Sequence, residues 1–174
     1  MICTSAPLFP QLENLGSASG FVEEIQEVVG ALSLFEGFSC QESALLCEYM
    51  TCFGAPSHST ILREEDRGDF LIIILTGQVN VVKAFAPTGH KKVARLGPGA
   101  FLGEMSLIDG KQRFASCITT EPTDFAVLTR TSLNEILLDH PELGNKLLLL
   151  LLQLITERLR DATTRMLPAI GGSV

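Results

Sequence analysis

Apolar positions fall into three successive patterns along the chain, and each predicts a different kind of element. From Phe21 the spacing Phe21, Ile25, Val28, Val29, Leu32 follows the helical repeat, with Glu23, Glu24 and Glu27 on another face. Leu34-Phe35-Glu36-Gly37-Phe38 then makes a compact apolar turn, and Ser39 with Glu42 fits a capping box. That box opens a second helix through Ala44, Leu45, Leu46 and Tyr49, ended by Gly54-Ala55-Pro56. From Ser57 to Thr131 the signal changes to short β-branched and apolar runs. These are Thr60 to Leu62, Phe70 to Leu75, Gln78 to Phe85, Lys92 to Leu96, and Cys117 to Leu128. Gly68-Asp69 and Thr76-Gly77 are tight-turn dipeptides, and Pro87-Thr88-Gly89-His90 reads as a hairpin tip. Strands at such spacing predict a barrel or roll. From Leu133 to Met166 the helical repeat returns, with Pro141 starting a new helix after Asp139-His140.

This last helix carries six consecutive leucines, Leu147 to Leu152. A helix apolar all round must be buried on more than one side, here by the roll and by another chain. Leu148, Leu152, Ile155, Leu159, Ala162 and Met166 recur at steps of four and three, a heptad stripe that predicts a homodimer through this helix. The alternative is a helix folded back on its own domain. Residues 1–20, with Pro7, Pro10, Gly16 and Gly20, predict a flexible arm, and residues 167–174 a tail.

Composition narrows the function more than the fold. A chain of 174 residues that is 46% hydrophobic suits one domain with a real core. Its apolar runs fall short of the roughly 18 residues that span a bilayer, so no membrane span is expected. A net charge of −7 disfavours nucleic acid as a partner. Met1 to Leu12 lacks the basic and apolar regions of a secretory signal, and the five cysteines form no Cys-x-x-Cys pair. Free thiols in a reducing cytoplasm are the expectation. His58, His90 and His140 are scattered, so no metal site is expected, and a metal-dependent double-stranded β-helix enzyme lacks its ligand set.

The candidate chemistry lies between Gly97 and Ser116. Gly97, Gly99 and Gly103 permit backbone shapes closed to other residues, and Glu104 to Ile108 is long enough for about one helical turn. Free amides at such a turn favour an anion, and Arg113 offers a planar fork that grips phosphate oxygens. Glu104 repels phosphate, so if both side chains face one ligand the carboxylate takes hydrogen bonds from a neutral donor such as a sugar hydroxyl. Phosphate plus sugar means a nucleotide. Equally, Glu104 and Arg113 are readable as a structural ion pair across the turn.

The run Gly-x-Phe-x-Gly-Glu-Met-Ser-Leu-Ile-x-Gly-x-x-Arg-x-Ala-Ser, Gly99 to Ser116, resembles the phosphate-binding cassette of the cyclic nucleotide-binding domain family. The likeness extends over about Phe21 to Met166. It implies an α+β fold: a helical lead-in over 21–54, an eight-stranded antiparallel β-roll (a double-stranded β-helix, jelly-roll-like) with a short cassette helix over 55–131, and helices over 132–166. It implies that the ligand is cyclic AMP or cyclic GMP, that the protein is not an enzyme, and that binding repositions the C-terminal helix to act on an effector protein. By position, Gly103, Glu104, Met105, Ser106, Arg113, Phe114 and Ala115 inherit the cassette's contacts. Arg158 to Thr163 resembles the Arg-Leu-Arg-x-x-Thr segment that lies near the adenine edge, which adds Arg160, Thr163 and Thr164. Phe114 stands where a small or hydroxyl residue is usual. A hydroxyl there favours guanine in the family, so cyclic AMP is expected to bind at least as tightly. Alternation along the strand also allows Phe114 to be a core residue. Glu65 stands where glycine is common in Glu64-Glu65-Asp66-Arg67-Gly68-Asp69, and costs about 1 kcal/mol if the backbone there needs a positive φ. A degenerate domain that keeps the fold and binds only protein is the alternative function.

Overall fold

The computed structural model describes residues 8–30, 37–85 and 89–170. Two antiparallel sheets face one another. The larger has the order β1-β2-β9-β4-β7, from Glu13–Ser17 (β1), Met50–Ala55 (β2), Thr123–Thr129 (β9), Phe70–Ile74 (β4) and Phe101–Leu102 (β7). The smaller has the order β3-β8-β5-β6, from Thr60–Leu62 (β3), Ser116–Thr119 (β8), Val79–Phe85 (β5) and Gly89–Leu96 (β6). Helices Val22–Gly30 (α1) and Cys40–Glu48 (α2) precede the roll, Glu104–Asp109 (α3) interrupts it, and Arg130–Asp139 (α4) and Pro141–Ile170 (α5) follow.

The large sheet is buried on both faces, which is why its strands read as unbroken apolar runs. On β4, Ile72 and Ile74 point into the roll while Leu71 and Ile73 join the helix-side core. On β9, Phe125 and Val127 point inward while Ala126 and Leu128 meet the helices. This is the period-two alternation of a strand, with apolar residues on both sides because each side has its own cover. The helix-side core also takes Leu133, Ile136, Leu143, Leu147 and Leu150 from α4 and α5. Ser39 caps α2 as expected, accepting from the Glu42 amide while the Glu42 carboxylate accepts from the Ser39 amide.

Four expectations need correction. Residues 8–20 were expected in a flexible arm, yet they supply β1, which pairs with β2 from Glu13 opposite Gly54 to Ser17 opposite Thr51. Phe9 is buried edge-to-face against Phe53, Phe70 and Phe125. The turn-forming composition hid this, because a single buried ring and a bulged edge strand leave no periodic signal. Secondly, the described residues form nine strands where eight were expected, and residues 50–54 of the expected helical lead-in belong to β2. Thirdly, the expected run Cys117 to Leu128 is split by Glu121-Pro122 into β8 and β9, which belong to different sheets. The tail expectation also shifts, since α5 continues to Ile170. Most of the expected turn Leu34 to Phe38, and Pro87-Thr88 of the hairpin tip, lie outside the described residues. The hairpin itself is formed, with Phe85 opposite Gly89.

Candidate ligand-binding site

Arg113 organises the site. Its backbone is zipped to the preceding loop: the Arg113 amide donates to the Asp66 carbonyl at 2.9 Å and the Glu65 amide to the Arg113 carbonyl at 3.0 Å. Its guanidinium donates to the carbonyl oxygens of Gly103 and Phe70, both at 2.8 Å, and lies 4.4 Å from the Phe70 ring centroid. The residue is only 4% exposed. A Cβ on Gly68 or Gly103 would collide with this guanidinium, so Gly68, legible in the sequence only as a turn former, is there to make room. Glu65 holds φ 68°, the strained left-handed region anticipated for it.

Burial pushes the Arg113 pKa down, because the surroundings penalise its charge. Among the described residues no carboxylate lies within ion-pair distance of it. A buried cation without a counter-charge is costly, so this site is short of an anion.

Glu104 opens α3 and is 1% exposed. Its partner is not Arg113, so the structural ion pair anticipated between them is not formed. Instead Arg158 of α5 reaches across, donating through Nη1 to Glu104 Oε1 and through Nη2 to the Phe101 carbonyl, each at 2.5 Å. The second carboxylate oxygen, Oε2, is buried with no donor among the described residues. It can accept one more hydrogen bond. Gly103 precedes α3 in the left-handed conformation, φ 79°, and the amides of Glu104, Met105 and Ser106 have no intrahelical acceptor, as at any helix start. Arg130 closes the other end of α3 by donating to the Ser106 carbonyl at 2.7 Å. No motif marked Arg130, because its role depends on where α4 lands.

Gly103, Glu104, Met105, Ser106, Arg113, Phe114 and Ala115 all line one cavity, together with Arg158 and with wall residues from both sheets such as Leu62, Val81 and Leu102. The structure therefore brings together the cassette residues and adds Arg158. Ser106 and Ala115 are buried, while Met105 is 48% and Phe114 60% exposed. Phe114 is thus no core residue. Its neighbours Arg113 and Ala115 face in, and it turns out to the rim, where the Lys83 ammonium sits 4.3 Å from its ring centroid. Arg160, Thr163 and Thr164 are exposed on α5 and do not line the cavity. The Thr163 hydroxyl instead donates to the Leu159 carbonyl one turn back. Arg158 occupies the helix face aimed at the roll, two residues from the Arg160 that the sequence pattern suggested, which on a helix is more than half a turn away.

With Arg158 across it the cavity holds about 90 Å³, well below the ~300–1,000 Å³ of a typical small-molecule pocket. Among the described residues no cluster of His, Cys, Asp and Glu fits a metal ion, and no helix is long and apolar enough to cross a membrane.

Comparison with known proteins agrees with this geometry. Residues 54–140 match the family profile of the cyclic nucleotide-binding domain. A crystal structure of a cyclic nucleotide-binding domain from Methylobacillus flagellatus KT shares 48% identity, covers 94% of this chain and 92% of its own, and superposes with a TM-score of 0.85. A cyclic AMP receptor protein of Thermus thermophilus is 30% identical over 74% of this chain and 58% of its own length. A CRP-like cAMP-activated global transcriptional regulator of Mycobacterium tuberculosis is 27% identical over 78% and 59%. The chain thus spans under two thirds of the length of these two regulators. From the roll, the cassette between β7 and β8 and these likenesses together, the chain belongs to the cyclic nucleotide-binding domain family.

Proposed function

We propose that this chain is a regulatory module that binds a cyclic nucleotide, with cyclic AMP held at least as tightly as cyclic GMP, and signals through α5. One observation carries the reading: a buried cation lacking an anion, Arg113, and a buried carboxylate oxygen lacking a donor, Glu104 Oε2, belong to one cavity. A ligand with a phosphate and a neighbouring hydroxyl satisfies both. The phosphate neutralises Arg113 and meets the α3 amides, and the sugar hydroxyl donates to Glu104. Phe114 at the rim offers no hydroxyl to guanine, in keeping with a preference for adenine.

The cavity is too small for a nucleotide while Arg158 crosses it, so α5 must shift to admit one. Ligand affinity then differs between two helix arrangements, which is what couples binding to an output. In the second arrangement Arg160, Thr163 and Thr164 come toward the base. The exposed stripe of α5 pairs with a second copy, and the moving helices act on an effector protein. The Arg158–Glu104 pair also supports a second reading, a pocket held shut in a domain that serves only protein interaction.

Calorimetric titration with cyclic AMP and cyclic GMP separates the two. Binding by the parent chain, its loss in Arg113→Ala with an unchanged melt, and its weakening in Thr163→Ala with Thr164→Ala are the expected results. No heat with either nucleotide favours the interaction module, and a strong cyclic GMP preference refutes the argument from Phe114.

A further inference from the structure

The small sheet ends on an open, basic edge. Its order β3-β8-β5-β6 leaves one side of β6 without a neighbouring strand among the described residues. The other sheet edges are shorter, β3 with three residues, β7 with two and β1 with five, and β6 shares with β1 a register shift, here at Val93, between the partners of Val81 and Val82. β6 has eight, all exposed from Gly89 to Val93 and again at Arg95. Its unpaired amides and carbonyls form a template for a further strand.

Charge along the chain is segregated. Residues 1–62 hold Glu13, Glu23, Glu24, Glu27, Glu36, Glu42 and Glu48 and no Lys or Arg. Residues 70–103 hold Lys83, Lys91, Lys92 and Arg95 and no Asp or Glu. In the β5–β6 register Lys83 stands directly opposite Lys91, an arrangement that destabilises a sheet. Lys83 is answered by Glu64 at 2.6 Å. Among the described residues Lys91 has the Phe85 ring at 5.9 Å, and Lys91, Lys92 and Arg95 form no ion pair.

Lysines on an edge do keep copies of a chain apart. In a molecule of net charge −7, however, an acidic edge would repel copies more strongly, because the rest of each copy is acidic. A basic edge selects for an acidic visitor. We propose that β6 is a docking edge for an acidic, extended segment of a partner protein. The segment adds as a strand, its backbone pairing with the open side of β6, its carboxylates meeting Lys92 and Arg95 on one face of the sheet and Lys91 on the other. Phe85 and Val93, 56% and 44% exposed, offer apolar contacts beside those charges.

The test uses the full chain and a fluorescein-labelled peptide of Glu and Val, about eight residues long, the length of an ordinary strand, with Glu on both faces. Fluorescence polarisation is read together with hydrogen exchange. Saturable binding, slower exchange within residues 89–96, and about tenfold weaker binding in Lys91→Glu with Lys92→Glu are expected. Lys91→Gln with Lys92→Gln, a milder pair, covers the case where the charge reversal disturbs folding, and should weaken binding in the same direction. The same peptide N-methylated along its backbone should fail to bind. Equal binding by the N-methylated peptide means charge attraction without strand addition and overturns the proposal. So do protection confined to other strands, absence of peptide binding, or selective capture of phosphatidylserine vesicles or duplex DNA by these lysines.

Discussion

The two halves of α5 contain similar residues and meet different fates. In the first half, Leu143, Leu147, Leu150, Leu151 and Leu154 are all buried, against the outer face of the large sheet and α4. Lys146 ties this half to α2, its ammonium 2.7 Å from Glu42 Oε1 and 2.8 Å from the Gly37 carbonyl. Beyond Leu154 no described side chain of α5 is buried, Leu159 and Met166 are 65% and 62% exposed, and Arg158 pins the helix to the roll at Glu104 and Phe101. A leucine on a helix is thus core or exposed surface according to what stands opposite it. The first half is held by the hydrophobic effect and the second half by an ion pair and hydrogen bonds, which under the proposed function a ligand replaces.

The sharpest break of this comparison is Leu150→Ala against Leu149→Ala. Leu150 is 1% exposed and Leu149 61%, so the first substitution should lower unfolding free energy by about 2–5 kcal/mol and the second by no more than about 0.5 kcal/mol. Urea melts read both, and equal losses would erase the distinction between the two faces.

Next in size is the outward stripe. Leu152→Glu with Leu159→Glu should turn a dimer into monomers while leaving the melt of the roll unchanged, because like charges would be buried across the proposed coil at a cost of several kcal/mol. Light scattering measures it. A parent chain that is already monomeric at micromolar concentration removes the coil.

Arg158→Met, made in that monomeric background, tests the pin itself. Losing its two hydrogen bonds should cost about 1 kcal/mol, seen as about fivefold faster amide exchange over residues 155–166 with no change over 143–154. Uniform acceleration along α5 would mean that the helix opens as one unit.

The smallest expected effect concerns Lys146. Its hydrogen bond, foremost, and the Ser39 amide hold the Glu42 carboxyl below its ordinary value. A carboxyl with a lowered folded-state pKa contributes stability above its unfolded value, and that contribution is lost as pH falls through the folded value. The Lys146→Met variant should therefore be less stable than the parent near neutral pH by under about 1 kcal/mol, the worth of a half-exposed pair. The difference should close below about pH 4. Thermal melts across acid pH check it, and a gap that widens on acidification would assign Lys146 to another partner.

Sequence alone determined much of this molecule. The capping box at Ser39, the strand runs of the roll, the break at Pro141 and the cassette from Gly99 to Ser116 depend on neighbours within a few residues, which sequence spacing records directly. The cassette residues meet in one cavity because they lie within one short stretch. Tertiary structure decided the rest, for the reason that the partners are far apart in the chain. Strand β1 needs β2 across some 38 residues to make its turn-rich segment extended. Gly68 needs the guanidinium of Arg113 to explain its missing side chain. Phe114 is set at the rim by Lys83 and not in the core that alternation allowed. Which arginine of α5 meets Glu104 depends on the rotation of a helix about its axis, set by leucines packing on a sheet two turns earlier. Residue spacing within Arg158 to Thr163 carries no record of that angle, and so it did not mark Arg158 as the partner of Glu104.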